Sequence, residues 1–148
     1  MTVLTHAVVP PEIDLDSRGW WDALETGALE IPRCQGCGRG FFPPQPGCPH
    51  CGASSWQLAP SSGEGRLYSW VVIHHAFDPA FADDVPYVIA AVELDGVRLI
   101  GRWLEGTLVS LQGGMPVVAA VYRAGEQALL GFQAAGGLTG VSGGGGER

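Results

Sequence analysis

Apolar side chains set two different rhythms along this chain. In SRGWWDALETG, residues 17–27, Trp20 and Leu24 recur at helical spacing, Asp16 or Ser17 can cap the first turn, and Gly27 can end it. One short helix is predicted there. Trp20 and Trp21 stand about 100° apart around its axis, so a single apolar stripe cannot easily bury both rings. The rhythm changes after residue 64. GRLYSWVVIHHAF (65–77) is rich in β-branched and aromatic residues, and PYVIAAVELDGVRLIGRWLEG (86–106) holds two apolar runs about Asp95-Gly96. Asp-Gly between such runs is a strong signal for a two-residue hairpin. MPVVAAVYRAGEQALLGFQ then yields strands at 117–123 and 128–133 around a turn near Gly125.

Five short strands in roughly seventy residues, with no convincing helix among them, predict a small closed barrel. The OB-fold is the commonest Greek-key form, and an SH3-like barrel is the alternative. Residues 1–16, with Pro10-Pro11, read as an extended arm, and the glycine-rich stretch 136–148 as a flexible tail.

Composition sharpens this outline. The 23 glycines and 11 prolines in 148 residues favour turns and strands over long helices. The net charge is -7, and the eight basic residues are all arginines, scattered from Arg18 to Arg148. No cationic stripe of the kind that neutralises a phosphate backbone is present, which disfavours general nucleic-acid binding. No window reaches the length of a membrane span, and the N-terminus lacks the basic start and apolar core of an export signal, so a cytoplasmic protein is expected.

The four cysteines lie within 18 residues, in CQGCGRGFFPPQPGCPHCG, residues 34–52. Cys34-x2-Cys37 and Cys48-x2-Cys51 form two knuckles, each followed by a glycine that permits a tight turn, and four thiolates match the tetrahedral preference of zinc. A rubredoxin-like zinc ribbon follows, with a short hairpin expected between the knuckles. Redox iron is the competing reading, because both knuckles have the Cys-x2-Cys-Gly form. Four sulfurs fill the coordination sphere, so the metal is expected to be structural rather than catalytic. With four thiolates available, His50 is assigned to the surroundings of the site.

Elsewhere the chemistry is sparse. His74-His75 reads as the end of the first barrel strand, where adjacent side chains face opposite sides and only one can enter a given site. No nucleophile elbow, P-loop or dinucleotide fingerprint occurs. Asp78, Asp83 and Asp84 are loop carboxylates by default. Arg98 and Arg102 share strand parity with Ile100 between them, and together with Arg66 they are the candidate contacts to a phosphorylated ligand.

Taken in order, the pieces WWDALETGALEIPRC, CQGCGRGFFPPQPGCPHCG, GEGRLYSWVVIHHAF, PYVIAAVELDGVRLIGRWLEG and GGMPVVAAVY resemble a known family. It is the acyl-CoA-associated family of zinc-ribbon plus OB-fold proteins catalogued as domain of unknown function 35. The resemblance spans nearly the whole chain and implies a mainly β protein in four parts. These are an arm and helix (1–30), the ribbon (31–58), a five-stranded OB barrel (59–135) and the tail (136–148). It also implies a non-catalytic accessory subunit with structural zinc on Cys34, Cys37, Cys48 and Cys51. Its expected partner is a thiolase-superfamily enzyme, a lipid-transfer-protein-like thiolase or aldolase, acting on acyl-CoA in lipid, sterol or polyketide metabolism. A stand-alone acyl-CoA-binding module is the alternative, and a single-stranded nucleic-acid binder is a third reading. Trp20, Trp21, Phe41 and Phe42 are expected to be exposed anchors for the partner. The glycine-rich end departs from the more polar, proline-bearing finish of many relatives, which separates it from any C-terminal docking role.

Overall fold

The computed structural model describes residues 3–4, 9–106 and 111–136. The elements in chain order are β1 (Val3–Leu4), α1 (Arg18–Glu25), β2 (Glu30–Cys34), β3 (Trp56–Pro60), β4 (Glu64–Ile73), β5 (Tyr87–Leu94), β6 (Val97–Trp103), β7 (Pro116–Ala124) and β8 (Gln127–Ala134). The last five strands close on themselves in the order β7-β4-β5-β6-β8-β7, and β1 adds to β7 in parallel at Arg123–Ala124. One parallel contact, β6 to β8 through Arg102–Gly131 and Trp103–Phe132, completes an otherwise antiparallel ring. This is the five-stranded OB barrel.

Alternation builds its core. In β6 the odd residues Val97, Leu99, Gly101 and Trp103 are buried while Arg98, Ile100 and Arg102 face outward. Val88, Ala90, Val92 and Leu94 of β5 point the same way as those odd residues and meet Leu67, Val117, Leu130 and Phe132. The β5–β6 hairpin turns at Asp95 and Gly96, both with positive φ (49° and 77°), which a two-residue turn of the favoured twist demands.

Helix α1 plugs one side of this barrel through Trp20 and Leu24, which share one face at helical spacing and are both buried. Its cap differs from expectation. Ser17 occupies the N-cap position without a side-chain capping bond, and the turn before the helix is held reciprocally: Ser17 N–H donates to Asp14 Oδ1 at 2.7 Å and Asp14 N–H to Ser17 Oγ at 3.1 Å. The far end closes as read, with Gly27 N–H donating to Leu24 O at 2.9 Å. Glu25 ties the helix to the β7–β8 hairpin, accepting from Arg123 Nη2 at 2.7 Å and from Ala128 N–H at 3.1 Å.

One further expectation needs correction. β4 ends at Ile73, opposite Tyr87, the first residue of β5, so His74 and His75 have no strand partner on β5 and sit exposed beyond the strand. The following loop contains one 3-10 turn, Pro79–Phe81, capped by Asp78 Oδ1 accepting from Ala80 N–H at 2.8 Å. The expected flexible tail lies outside the described residues from position 137 onward.

Candidate metal centre and docking face

The ribbon's sheet is not the hairpin expected between the knuckles. It consists of β2 and β3, which flank the cysteine module and pair antiparallel from Glu30–Pro60 to Cys34–Trp56. Of the residues between the knuckles only Gly40 forms a bridge, and it pairs with Arg33 of β2, just before the first knuckle. Each knuckle repeats one geometry. Gly38 N–H donates to Cys34 O at 3.0 Å and Gly52 N–H to Cys48 O at 2.9 Å, with Gly38 and Gly52 at φ 77° and 79°. The left-handed conformation at these two positions folds the chain under the sulfurs, and a side chain there would be strained.

All four Sγ atoms lie within 4.8 Å of one another. Cys34–Cys51 are 3.6 Å apart and Cys37–Cys48 3.8 Å, close to the edge of about 3.8 Å for a tetrahedron of zinc–sulfur bonds. The backbone supports negative sulfur, with N–H of Gly36 and Cys37 donating to Cys34 Sγ at 3.2 and 3.5 Å and that of His50 to Cys48 Sγ at 3.4 Å. The Cys37 and Gly36 amides, aided by the Cys51 and Cys48 thiols, pull Cys34 down to about 6 against partial burial. At Cys51 the Ala53 amide lowers the pKa, but hydrogen bonding with Cys34, burial, Cys37 and Cys48 outweigh it and push the thiol up to about 11. The donor set fits a structural zinc ion, and with four sulfurs in place it leaves no position for a substrate. His50 stands aside as expected, exposed, its Nε2 3.2 Å from Gly40 O.

The four aromatic anchors divide. Phe41 is 2% exposed, packed edge-on against Trp56 beneath Cys34 and Cys48, and Trp20 is 5% exposed in the barrel core. Neither is an exposed anchor, because the ribbon and α1 fold back onto the barrel and enclose them. Trp21 and Phe42 are half-buried, each edge-on to Trp20 at ring-centroid distances of 4.7 and 5.3 Å.

The three arginines are outward-facing and already engaged. Arg66 and Arg98 sit in register on either side of Glu93. Arg98 donates to Glu93 at 2.7 Å and lies over the Tyr68 ring at 3.6 Å, while Arg66 Nη1 donates to Gly114 O at 3.3 Å. Arg102 pairs with Asp84 at 2.7 Å with side chains only 15% and 7% exposed, and covers Tyr87. Asp84 is thus part of a nearly buried ion pair rather than a plain loop carboxylate. Beside it runs an apolar groove of about 330 Å³ lined by Trp21, Tyr87, Ile89, Ile100, Tyr122 and Leu129 among others.

Sequence reasoning missed the most conspicuous surface. Ile100 (68% exposed), Val71 (54%) and Tyr68 (54%) lie outward on β6 and β4, with Ile89 between Val71 and Arg102 in the register. Phe77, 93% exposed, follows with its ring against His75. The available signal was SWVVI, apolar at both parities in a strand that needs only one buried face.

Residues 21–57 match the rubredoxin-like zinc ribbon domain of ChsH2, and residues 59–123 match the ChsH2 C-terminal OB-fold domain. Over 111 residues the chain is 33% identical to a DUF35 domain-containing scaffold protein of Methanocaldococcus jannaschii, covering 78% of that protein. The chain belongs to the ChsH2/DUF35 family. A second DUF35 domain-containing scaffold protein, from Methanothermobacter thermautotrophicus, is 33% identical over 84% of its length. The probable enoyl-CoA hydratase alpha subunit of Thermomonospora curvata is 40% identical over 109 residues, and the chain spans about a third (34%) of that protein's length. Among solved structures, a chain of the Ltp2-ChsH2(DUF35) aldolase superposes with a TM-score of 0.75 at 38% identity, covering 84% of this chain and 98% of that one. A DUF35 protein of unknown function from Sulfolobus solfataricus, 18% identical with a TM-score of 0.56 over 82% of this chain and 86% of that one, shares the fold. This DUF35 chain therefore joins a four-cysteine zinc ribbon to an OB barrel. No helix among the described residues is long and apolar enough to cross a membrane.

Proposed function

We propose that this chain is a non-catalytic accessory subunit, working in the cytoplasm, that docks a thiolase-superfamily enzyme and supports its action on an acyl-CoA in lipid or steroid metabolism. The observation that carries the reading is the uncovered apolar face running from Val71 across Ile89 and Ile100 to the groove beside Trp21. A patch of that kind, rimmed by the Arg98–Glu93 and Arg102–Asp84 pairs, has the makeup of a protein interface. Trp21 lines that groove as the aromatic anchor on this face, and Phe42, edge-on to Trp20, is the second half-buried anchor. The likeness to the aldolase chain and to a hydratase alpha subunit supports an acyl-CoA enzyme as the partner.

The test is co-expression with the lipid-transfer-protein-like thiolase or aldolase subunit of the same organism. A stoichiometric complex containing one zinc per chain, with the enzyme losing turnover when this chain is omitted, is the expected result. A partner that is fully active and elutes alone in its presence would refute the reading.

Direct acyl-CoA binding is the second reading, favoured by the placement of Arg66 and Arg98 on neighbouring strands about Glu93. Both guanidinium groups are held by acceptors within the chain, so a phosphate would have to displace them. Calorimetric titration of the zinc-loaded chain with an acyl-CoA decides this reading: saturable binding lost in Arg66→Met supports it, and no heat excludes it.

A further inference from the structure

β4 is longer than the barrel needs. Of its ten residues, only Glu64–Arg66 pair with β7. Leu67 then exchanges backbone bonds with the segment leading into β7, its N–H donating to Met115 O at 3.0 Å and its carbonyl accepting from Gly114 N–H at 2.7 Å. A bulge at Tyr68 follows, between Leu67 and Ser69, and β4 continues to Ile73 paired with β5 alone. Among the described residues, no strand covers the other edge of Tyr68–Ile73. About three residues of this stretch must therefore point their backbone N–H and C=O away from β5.

The side chains here do not guard the edge. YSWVVI contains no charge and no proline, and Tyr68, Ser69, Trp70 and Val71 are all exposed. Trp70 pairs with the buried Ala90, so it points to the inner side of the sheet, yet it is 37% exposed because β7 does not reach this far. Monomeric proteins normally protect such an edge with lysine, proline or a covering element, because it is a ready template for another strand.

We propose that Tyr68–Ile73 is a strand-addition site, on which the partner enzyme lays an extended segment as an extra strand beside β4. The proposal rests on the docking reading above and specifies its mode. The occupant it fits has an apolar centre, to meet Trp70 and Val71, and a basic residue at the end that reaches the loop after Ile73. Asp78 and Asp83 are exposed in that loop, on a chain of net charge -7, whereas Arg66, bonded to Gly114 O, stands at the other end of the edge. The net charge of -7 also disfavours a second copy of this chain.

Amide-resolved hydrogen exchange tests this on the full zinc-loaded chain, alone and with the aldolase subunit of the same organism. Alternate amides within 68–73, those facing away from β5, should exchange at least about tenfold more slowly in the complex. Of Val71→Pro and Val72→Pro, the variant whose replaced N–H faced outward should keep its zinc and melting profile yet weaken the complex at least about tenfold. A complex that forms with unchanged exchange at those amides would overturn strand addition while leaving docking intact. Absence of any complex would overturn docking and strand addition together. Protection of the same amides in the chain alone, at twice its mass by sedimentation, would assign the edge to a second copy and overturn the proposal.

Discussion

Phe42, between the two zinc knuckles, meets Trp20 of the helix edge-on at a centroid distance of 5.3 Å. Through this contact the ribbon touches the barrel core, since Trp20 belongs to the same buried cluster as Leu99 and Phe132. Stripping the metal with a chelator, or replacing Cys48 by serine, should therefore loosen more than the ribbon. The expected outcome is a red shift of tryptophan emission as Trp20 and Trp56 gain water, with a lowered Tm and largely retained β-sheet circular dichroism. Emission unchanged on metal loss would mean that the ribbon folds without its ion.

Zinc affinity should rise with pH across the neutral range. Metal binding requires thiolates, and Cys51, pushed up to about 11, is protonated in the metal-free protein at neutral pH, whereas Cys34, drawn down to about 6, is mostly ionised. Loading must then expel at least the Cys51 proton. Each unit of pH lost between 8 and 7 should weaken binding at least about tenfold, as read by competition with a chromophoric chelator.

The two arginine–carboxylate pairs should differ sharply in what they contribute. Arg102–Asp84 is almost buried, so Asp84→Asn leaves a guanidinium poorly compensated and should destabilise the fold by about 3 kcal/mol. Arg98–Glu93, with side chains 49% and 53% exposed, is screened by water, and Glu93→Gln should leave the urea midpoint nearly unchanged. Urea unfolding of the two variants in parallel is the check.

Gly65 is required by a close approach. A methyl group there would sit 2.5 Å from Glu93 O and 2.9 Å from both Leu94 Cβ and Val92 Cγ1. The neighbouring β5 backbone cannot yield without breaking the β4–β5 ladder, so Gly65→Ala should cost about 2–3 kcal/mol in the same urea assay.

What the sequence made legible follows from the range of each signal. The knuckles, the Asp95-Gly96 hairpin and the Trp20–Leu24 face of α1 all depend on residues a few positions apart. β2 and β3 were illegible for the opposite reason. EIPRC and WQLAP each contain a proline and are short, and they pair across the whole cysteine module, so their sheet exists only because the knuckles bring its ends together. The aromatic anchors were misplaced because exposure is a tertiary property. Trp20 and Phe41 look as available as Trp21 and Phe42 until the ribbon and helix close over them. His74-His75 extends an apolar strand by composition, but strand length is set by the partner, and β5 begins only at Tyr87.

The most direct test of the docking account is the Kd of this chain for the proposed partner, the thiolase-like or aldolase subunit of the same organism, compared between the native protein and Ile100→Asp. Ile100 is 68% exposed and makes no contribution to the buried core, so the variant should keep its zinc and Tm. A loss of affinity of at least about a hundredfold is the predicted result, because a charge would be buried against an apolar surface. Unchanged affinity in a folded, zinc-loaded Ile100→Asp chain would contradict the assignment of this face to the partner.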